Sequence, residues 1–385
     1  MKHGISLGRV FGIPVAVHFS WFLIFLLVTA SVISILPEGY PRWETVPVAI
    51  GASLLFFASL LAHELSHSLV ARKYGIQVKG ITLFIFGGAS QITREATSPA
   101  QEAVMAIAGP AASVAVGALF LGSFAMLSRS QSLAQFLVST ESDGLAVTVF
   151  GWLCLVNVAL ALFSLVPGLP LDGGRMLRAA VWGLSGNYRL ATRIASVIGQ
   201  AVGILIIVAG IALLTMTHDL VGGPWLMVVG WFLFSLAPSG YRHLRLNDAA
   251  VGLQAGDVME SVSLVPPQLT LENLVNTYAL PARQRAFLVS NGEVALGIIT
   301  RENLKRVSQR EWGETRAEQA MTPVARLLVV GREQALSSIL GALLDSPEMY
   351  AVVVDGGKLV GLISRKTLLS LLRTRSAPVR RTAEA

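Results

Sequence analysis

Apolar residues run almost unbroken over membrane-length stretches in the first 240 positions, then give way near Asp248 to short alternating runs mixed with charge. The first regime holds six stretches, at 14–35, 46–71, 103–127, 145–166, 194–216 and 220–237. About 20 apolar residues cross a hydrocarbon core, so five of these are long enough to span and the sixth is marginal. Between the second and third lies a different pattern. Residues 77–93 are too few to span and rich in β-formers, from Ile81 to Phe86, followed by Gly87 and Gly88 and then Ala89 to Thr93. This predicts a hairpin or small membrane-associated sheet with Gly87 and Gly88 at its bend.

The second regime repeats internally. Asp257-Val258-Met259 recurs as Gln319-Ala320-Met321, and Gly297-Ile298-Ile299-Thr300-Arg301 recurs as Gly361-Leu362-Ile363-Ser364-Arg365, a period near 63. Each copy fits strand, helix, strand, strand, helix. The second copy is clearest, with a helix over 337–344, a strand over 350–354, a turn at Asp355-Gly356-Gly357 and a strand over 359–364. The organisation expected is a membrane domain over 1–240, a linker over 241–250, repeat copies over 251–310 and 311–375, and a basic tail over 376–385. That tail has no periodicity and is expected to be disordered or to touch anionic lipid.

Composition agrees with a mixed architecture: 53% hydrophobic is too apolar for an ordinary soluble chain, and 14% charged is too polar for membrane throughout. The one cysteine, Cys154, lies in an apolar run, which excludes an intrachain disulfide framework and excludes thiolate zinc chemistry as the main theme. The net charge of +7 would suit nucleic acid, but its placement argues otherwise. With six spans both ends share one side, and the loops there carry twelve Lys and Arg residues, from Lys2 and Arg9 to Arg242 and Arg245, against Arg42 and Arg129 opposite. The positive-inside rule then places both termini and the repeat domain in the cytoplasm, in a multi-pass protein of the cell membrane that binds no nucleic acid. The first run exceeds a signal-peptide core and no small-residue cleavage site follows it, so it reads as a retained anchor.

Chemistry enters with His63-Glu64-Leu65-Ser66-His67, inside the second apolar stretch. On a helix His63 and His67 share a face and can bind one Zn²⁺, with Glu64 beside them as general base. Charge within a membrane helix is costly and marks function. Arg72 and Lys73 belong at the interface, nine residues beyond His63, which sets that histidine about 14 Å into the membrane. A catalytic zinc needs a third protein ligand and an open position. Asp172, in the Pro- and Gly-broken segment Pro167-Gly168-Leu169-Pro170-Leu171-Asp172-Gly173-Gly174-Arg175, is the candidate; the same residue could equally be a turn or a helix cap. Gly109 to Ser113 and Gly117, with Gly199 and Gly203, read as ordinary close helix packing, Asn157 as an interhelical hydrogen bond, and His18 as facing the headgroups.

HExxH on one membrane helix and Leu171-Asp172-Gly173 on a later segment together resemble the site-2 protease family of intramembrane zinc metalloproteases (peptidase M50 type), over about residues 1–240. The resemblance implies about six transmembrane helices, with His63, His67 and Asp172 as ligands of one Zn²⁺ and Glu64 as general base. The family often has Asn eight residues before the LDG aspartate, where this chain has Ser164, a shorter group for gripping substrate backbone. Gly87 and Gly88 would stand at the bend of a hairpin whose exposed strand edge holds unwound substrate by β-addition, or which fills space under the helices. Residues 250–375 are similar to a pair of CBS motifs, a cytoplasmic α/β domain. Such pairs often bind adenine nucleotides and regulate an attached domain or join it into a homodimer. Where nucleotide-binding copies place a ribose-binding Asp, this chain has Asn303 and Thr367. The expected function is a zinc-dependent endopeptidase that cleaves transmembrane segments of membrane proteins in regulated intramembrane proteolysis. A CBS-gated divalent-metal transporter or channel, with the same three ligands as a transit site, is the rival reading.

Overall fold

The computed structural model of the chain describes residues 4–128, 132–133, 144–279, 286–292, 295–346, 348–356 and 358–376. Arg129, one of the two cations assigned to the outer side, and the tail from Ala377 onward lie outside the described residues. The chain divides into two units, Met1–Tyr241 and Arg242–Ala385.

The first unit opens on strands. β1 (Gly4–Val10) and β2 (Ile13–His18) form an antiparallel hairpin, and α1 (Ser20–Ile35) follows. The membrane span expected over 14–35 is corrected accordingly. Ile13, Val15 and Val17 are buried while Pro14 points out, the period of two that defines a half-buried strand. What remains helical is 16 residues, about 24 Å of rise against a hydrocarbon core of about 30 Å. After α1 come α2 (Arg42–Lys73), β3 (Val78–Phe84), β4 (Gly87–Ile92), α3 (Pro99–Leu127), α4 (Leu145–Ser164), α5 (Asp172–Ser185), α6 (Tyr188–Thr217) and α7 (Gly222–Leu236). Among the described residues four helices, α2, α3, α4 and α6, are long and apolar enough to cross a membrane; α7 has 15 residues.

The strands join in the order β1-β2-β3-β4, with β2 and β3 parallel (Val15 beside Ile81, Val17 beside Leu83) and α1 and α2 forming the crossover between them. The buried face of this sheet lies on α2: Val17 and Leu83 pack with Phe57 and Leu60, and Ile13 and Ile81 with Leu65. The hairpin expected over 77–93 is present, but Ile85 and Phe86 make its turn and Gly87 and Gly88 open β4. Inward-facing Ile81 and Leu83 fix that phase, since a one-residue slip would turn both away from α2.

In the second unit α8 (Ser239–Ala250), which begins at the end of the first, occupies the stretch expected as a linker. Ala250 is wholly buried in the core that holds Val330, Leu336, Leu340 and Leu372. The two copies share one plan. β5 (Leu264–Val265) runs parallel to β6 (Ala286–Ser290), which pairs antiparallel with β7 (Ala295–Thr300), and β8 (Thr322–Pro323) closes that sheet. β9 (Leu328–Gly331), helix α9 (Leu336–Asp345), β10 (Tyr350–Asp355) and β11 (Lys358–Ser364) repeat it, followed by α10 (Arg365–Ser376). The lead-in segments are exchanged between copies. Ala255 and Val258 are buried against the second copy, and Ala317 against the first.

Candidate metal centre

Three donors from two distant segments converge in the first unit. His63 and His67 project from one face of α2, and Asp172 stands in the first turn of α5. Asp172 Oδ2 lies 3.2 Å from His63 Nε2 and 3.2 Å from His67 Nε2, and the two Nε2 atoms are 3.3 Å apart. All three residues are at most slightly exposed, the imidazoles at 4% each. The other ring nitrogens are engaged by α3. His67 Nδ1–H donates to the Met105 carbonyl at 2.7 Å, and His63 Nδ1 is bonded to Ser113 Oγ at 2.9 Å. A carbonyl only accepts, so His67 carries a proton on Nδ1, and Nε2 is the ring nitrogen that can offer a lone pair to a metal. Two imidazoles and a carboxylate oxygen crowding within 3.3 Å fit a tetrahedral cation with N/O ligands, and the bonds at the far nitrogens are the orienting contacts such ligands have.

The neighbouring helix makes room for this cluster. A Cβ at Gly109 of α3 would lie 2.2 Å from His67 Nε2 and 2.6 Å from His63 Nε2. The Gly109 to Ser113 segment, expected to be ordinary packing, is thus the wall against which both imidazoles stand. Sequence reasoning missed Ser113 and Met105; the signal available was the i, i+4 spacing of Gly109 and Ser113, matching that of the two histidines.

Asp172 owes its place to the loop 165–171. Leu169 N–H donates to the Ala195 carbonyl of α6 and Leu171 N–H to the Gly168 carbonyl. A Cβ at Gly173 would fall 2.0 Å from the Leu165 carbonyl oxygen, so the residue after the aspartate must be glycine for α5 to start there. The turn-or-cap alternative for Asp172 is not what its side chain does: Oδ2 faces the histidines, and Oδ1 lies 3.8 Å from Arg175 Nη1.

Glu64, half-buried, turns toward the sheet. Ser90 Oγ of β4 donates to Glu64 Oε2 at 2.9 Å, and Ser68 Oγ donates to Ser90 Oγ at 3.1 Å. A Cβ at Gly88 would sit 2.4 Å from Glu64 Cγ, so this glycine lets the edge strand of the sheet lie against the carboxylate. Gly87, at φ +129°, has open space around it. Ser90 was also missed in the sequence, where it was one polar residue in a strand. The hairpin turn is seated on α7, with Phe86 stacked on Phe232 at 4.0 Å between centroids.

The remaining candidates lie outside the cluster. Ser164 is buried and its hydroxyl donates to the Ala161 carbonyl of its own helix. Asn157 Nδ2 donates to Ser59 Oγ of α2 and to the Leu153 carbonyl, an interhelical contact. His18 Nδ1 bonds Ser20 Oγ and accepts the Ser20 N–H. In the second unit Asn303 is buried and fully engaged: Oδ1 accepts from Thr300 N–H and Oγ, and Nδ2 donates to the Ala320 carbonyl and Thr322 Oγ. Thr367 Oγ accepts from Ser364 Oγ. Beside Thr367 is a cavity of about 660 Å³ lined by residues of both copies, among them Glu260, Arg301, Glu302 and Lys366.

Known proteins resemble this chain. Residues 51–210 match the Peptidase family M50 profile. A putative zinc metalloprotease of Synechocystis sp. is 35% identical across 98% of this chain and 97% of its own length. A solved structure, the site-2 protease from Methanocaldococcus jannaschii, is 26% identical over 62% of this chain and 96% of that one, with a TM-score of 0.43. The CBS domain of the bacterial CNNM/CorC family Mg²⁺ transporter covers 35% of this chain and 84% of its own, at 17% identity and a TM-score of 0.30. Similarity that runs from end to end with the Synechocystis protein, and a family profile that takes in both histidines and Asp172, leave one conclusion: the chain belongs to peptidase family M50 and is a metalloprotease of the membrane.

Proposed function

We propose that this chain hydrolyses a peptide bond within a transmembrane segment of another membrane protein, with His63, His67 and Asp172 holding one Zn²⁺ and Glu64 as general acid and base. The observation that carries this is the convergence of three lone-pair donors within 3.3 Å, with the carboxylate of Glu64 on the next helical position. When bound, the ion supplies Lewis-acid polarisation of a peptide carbonyl and acidifies a water at its open position. Ser90 occupies Glu64 Oε2, leaving Oε1 to take the proton of the attacking water. As the C–N bond breaks, Glu64 returns that proton to the departing amine. A helical substrate must first unwind, because its carbonyls are hydrogen-bonded within the helix. β4 is the edge strand lying against Glu64, so pairing of an unwound segment with it would bring backbone to the base.

Both termini are assigned to the cytoplasm from the distribution of Lys and Arg, with α1 and α7 completing a six-span topology by local thinning of the bilayer. Labelling of a Ser376→Cys variant by an impermeant thiol reagent only in inside-out vesicles tests this; Cys154, the native cysteine, is buried. The CBS pair regulates activity, by joining two copies or by taking an adenine nucleotide. Mass and melting temperature of the full chain with and without ATP test that role. For the central reading, wild type and Glu64→Gln are co-reconstituted with single-span substrates. A product band from wild type alone, with equal zinc in both proteins, is the expected result; cleavage by the Glu64→Gln variant at the wild-type rate would refute it.

A further inference from the structure

We infer that the buried pair Glu102–Arg178 is a positioning device for the metal centre, setting where Asp172 stands relative to His63 and His67; this inference rests on the metal-site reading above. Glu102 lies in the first turn of α3 and Arg178 two turns into α5, with exposures of 1% and 8%. Arg178 donates from Nε to Glu102 Oε1 at 2.7 Å and from Nη2 to the same oxygen. Its guanidinium also lies 5.0 Å from the ring centroid of Tyr188, whose hydroxyl donates to Glu95 Oε2 at 2.7 Å. None of these groups touches the three ligands, and the hydrolytic steps make no use of them.

The geometry explains why the pair is there. α3 already holds both histidines, through the Met105 carbonyl and Ser113 Oγ, and receives their rings at Gly109. The third ligand rides on a different helix, α5, whose start is set by the close fit of Gly173 against the Leu165 carbonyl and whose next turns meet α3 through Arg178. Asp172 and Arg178 are six positions apart, about 9 Å along the axis and some 240° around it. The two bonds from Arg178 to one oxygen of Glu102 therefore tie α5 to α3 at a second place, beyond the loop that starts the helix. Metal–ligand distances tolerate only about ±0.2 Å, far less than the 1.5 Å rise per residue of the helix that carries Asp172. The same helix, α3, thus orients all three ligands, two through ring nitrogens and one through a remote ion pair.

The test uses the full-length protein in detergent with Arg178→Lys, which keeps the charge and loses the paired donors of the guanidinium, and Glu102→Gln, which keeps the shape and an acceptor oxygen. Zinc affinity is read by chelator competition without substrate, the cobalt(II)-loaded forms by their visible absorption, and turnover as kcat and KM separately. Arg178→Lys is expected to weaken zinc binding 10- to 100-fold, change the cobalt band and lower kcat with KM unchanged. Glu102→Gln is expected to fall between it and wild type. A folded variant with wild-type zinc affinity and cobalt spectrum overturns the proposal, as does failure of both variants to fold, which would make the pair a folding determinant. If wild type itself binds no zinc, the metal-site reading fails instead, and His63→Ala marks the zero of that scale.

Discussion

Gly109→Ala is the smallest change that reaches the metal centre without touching a ligand. The added Cβ would stand 2.2 Å from His67 Nε2 and 2.6 Å from His63 Nε2, about 1.2 Å and 0.8 Å inside the 3.4 Å where ordinary contact begins. A free imidazole could swing away, but both rings are held at Nδ1, by the Met105 carbonyl and by Ser113. Either those bonds break or α3 recedes by about an ångström, and either motion exceeds the ±0.2 Å that coordination tolerates. Overpacking of this kind costs about 1–3 kcal/mol, and if the strain falls on the bound state zinc affinity drops roughly 5- to 150-fold. Competition with a chromophoric chelator measures it, alongside cleavage of a single-span substrate. Gly122→Ala serves as the control, because that position on α3 has nothing within 4 Å and alanine favours the helix. Zinc affinity in Gly109→Ala within threefold of the control would refute the argument that this glycine exists to admit the imidazoles.

Ser90→Ala removes the hydrogen bond to Glu64 Oε2 and should lower kcat by about tenfold with zinc content unchanged, given that a bond to a charged acceptor contributes about 1.5–3 kcal/mol when fully desolvated. Threonine at the same position should restore most of the rate; unchanged turnover in the alanine variant would sink the role given to Ser90. Leu340→Ala opens a cavity in the core of the second repeat, where Leu340 is wholly buried, and should destabilise the second unit by about 2–5 kcal/mol. Hydrogen exchange of the full chain checks this: faster exchange in β9, β10 and β11 with that of α2 and α3 unaltered is expected.

Local pattern determined much of this protein. HExxH needs only the 3.6-residue period to set His63 and His67 side by side, and long apolar runs mark α2, α3, α4 and α6 because lipid demands unbroken apolar length. The internal repeat near 63 residues is likewise carried by the letters themselves. Tertiary structure decided what depends on distant partners. The sequence at 13–18 has a strand period too short to stand out from the apolar run beside it, and β2 is a strand because β3, more than sixty residues away, accepts it. Ser113, Met105 and Ser90 carry no motif; each matters because another helix or strand delivers it to a histidine or to Glu64. Glu102 and Arg178 are ordinary charges in sequence, and become a buried pair only when α3 and α5 meet. The third ligand shows the division most plainly. Asp172 is a turn residue by local rule, and only the docking of α5 beside α2 and α3 brings its carboxylate to 3.2 Å from two imidazoles.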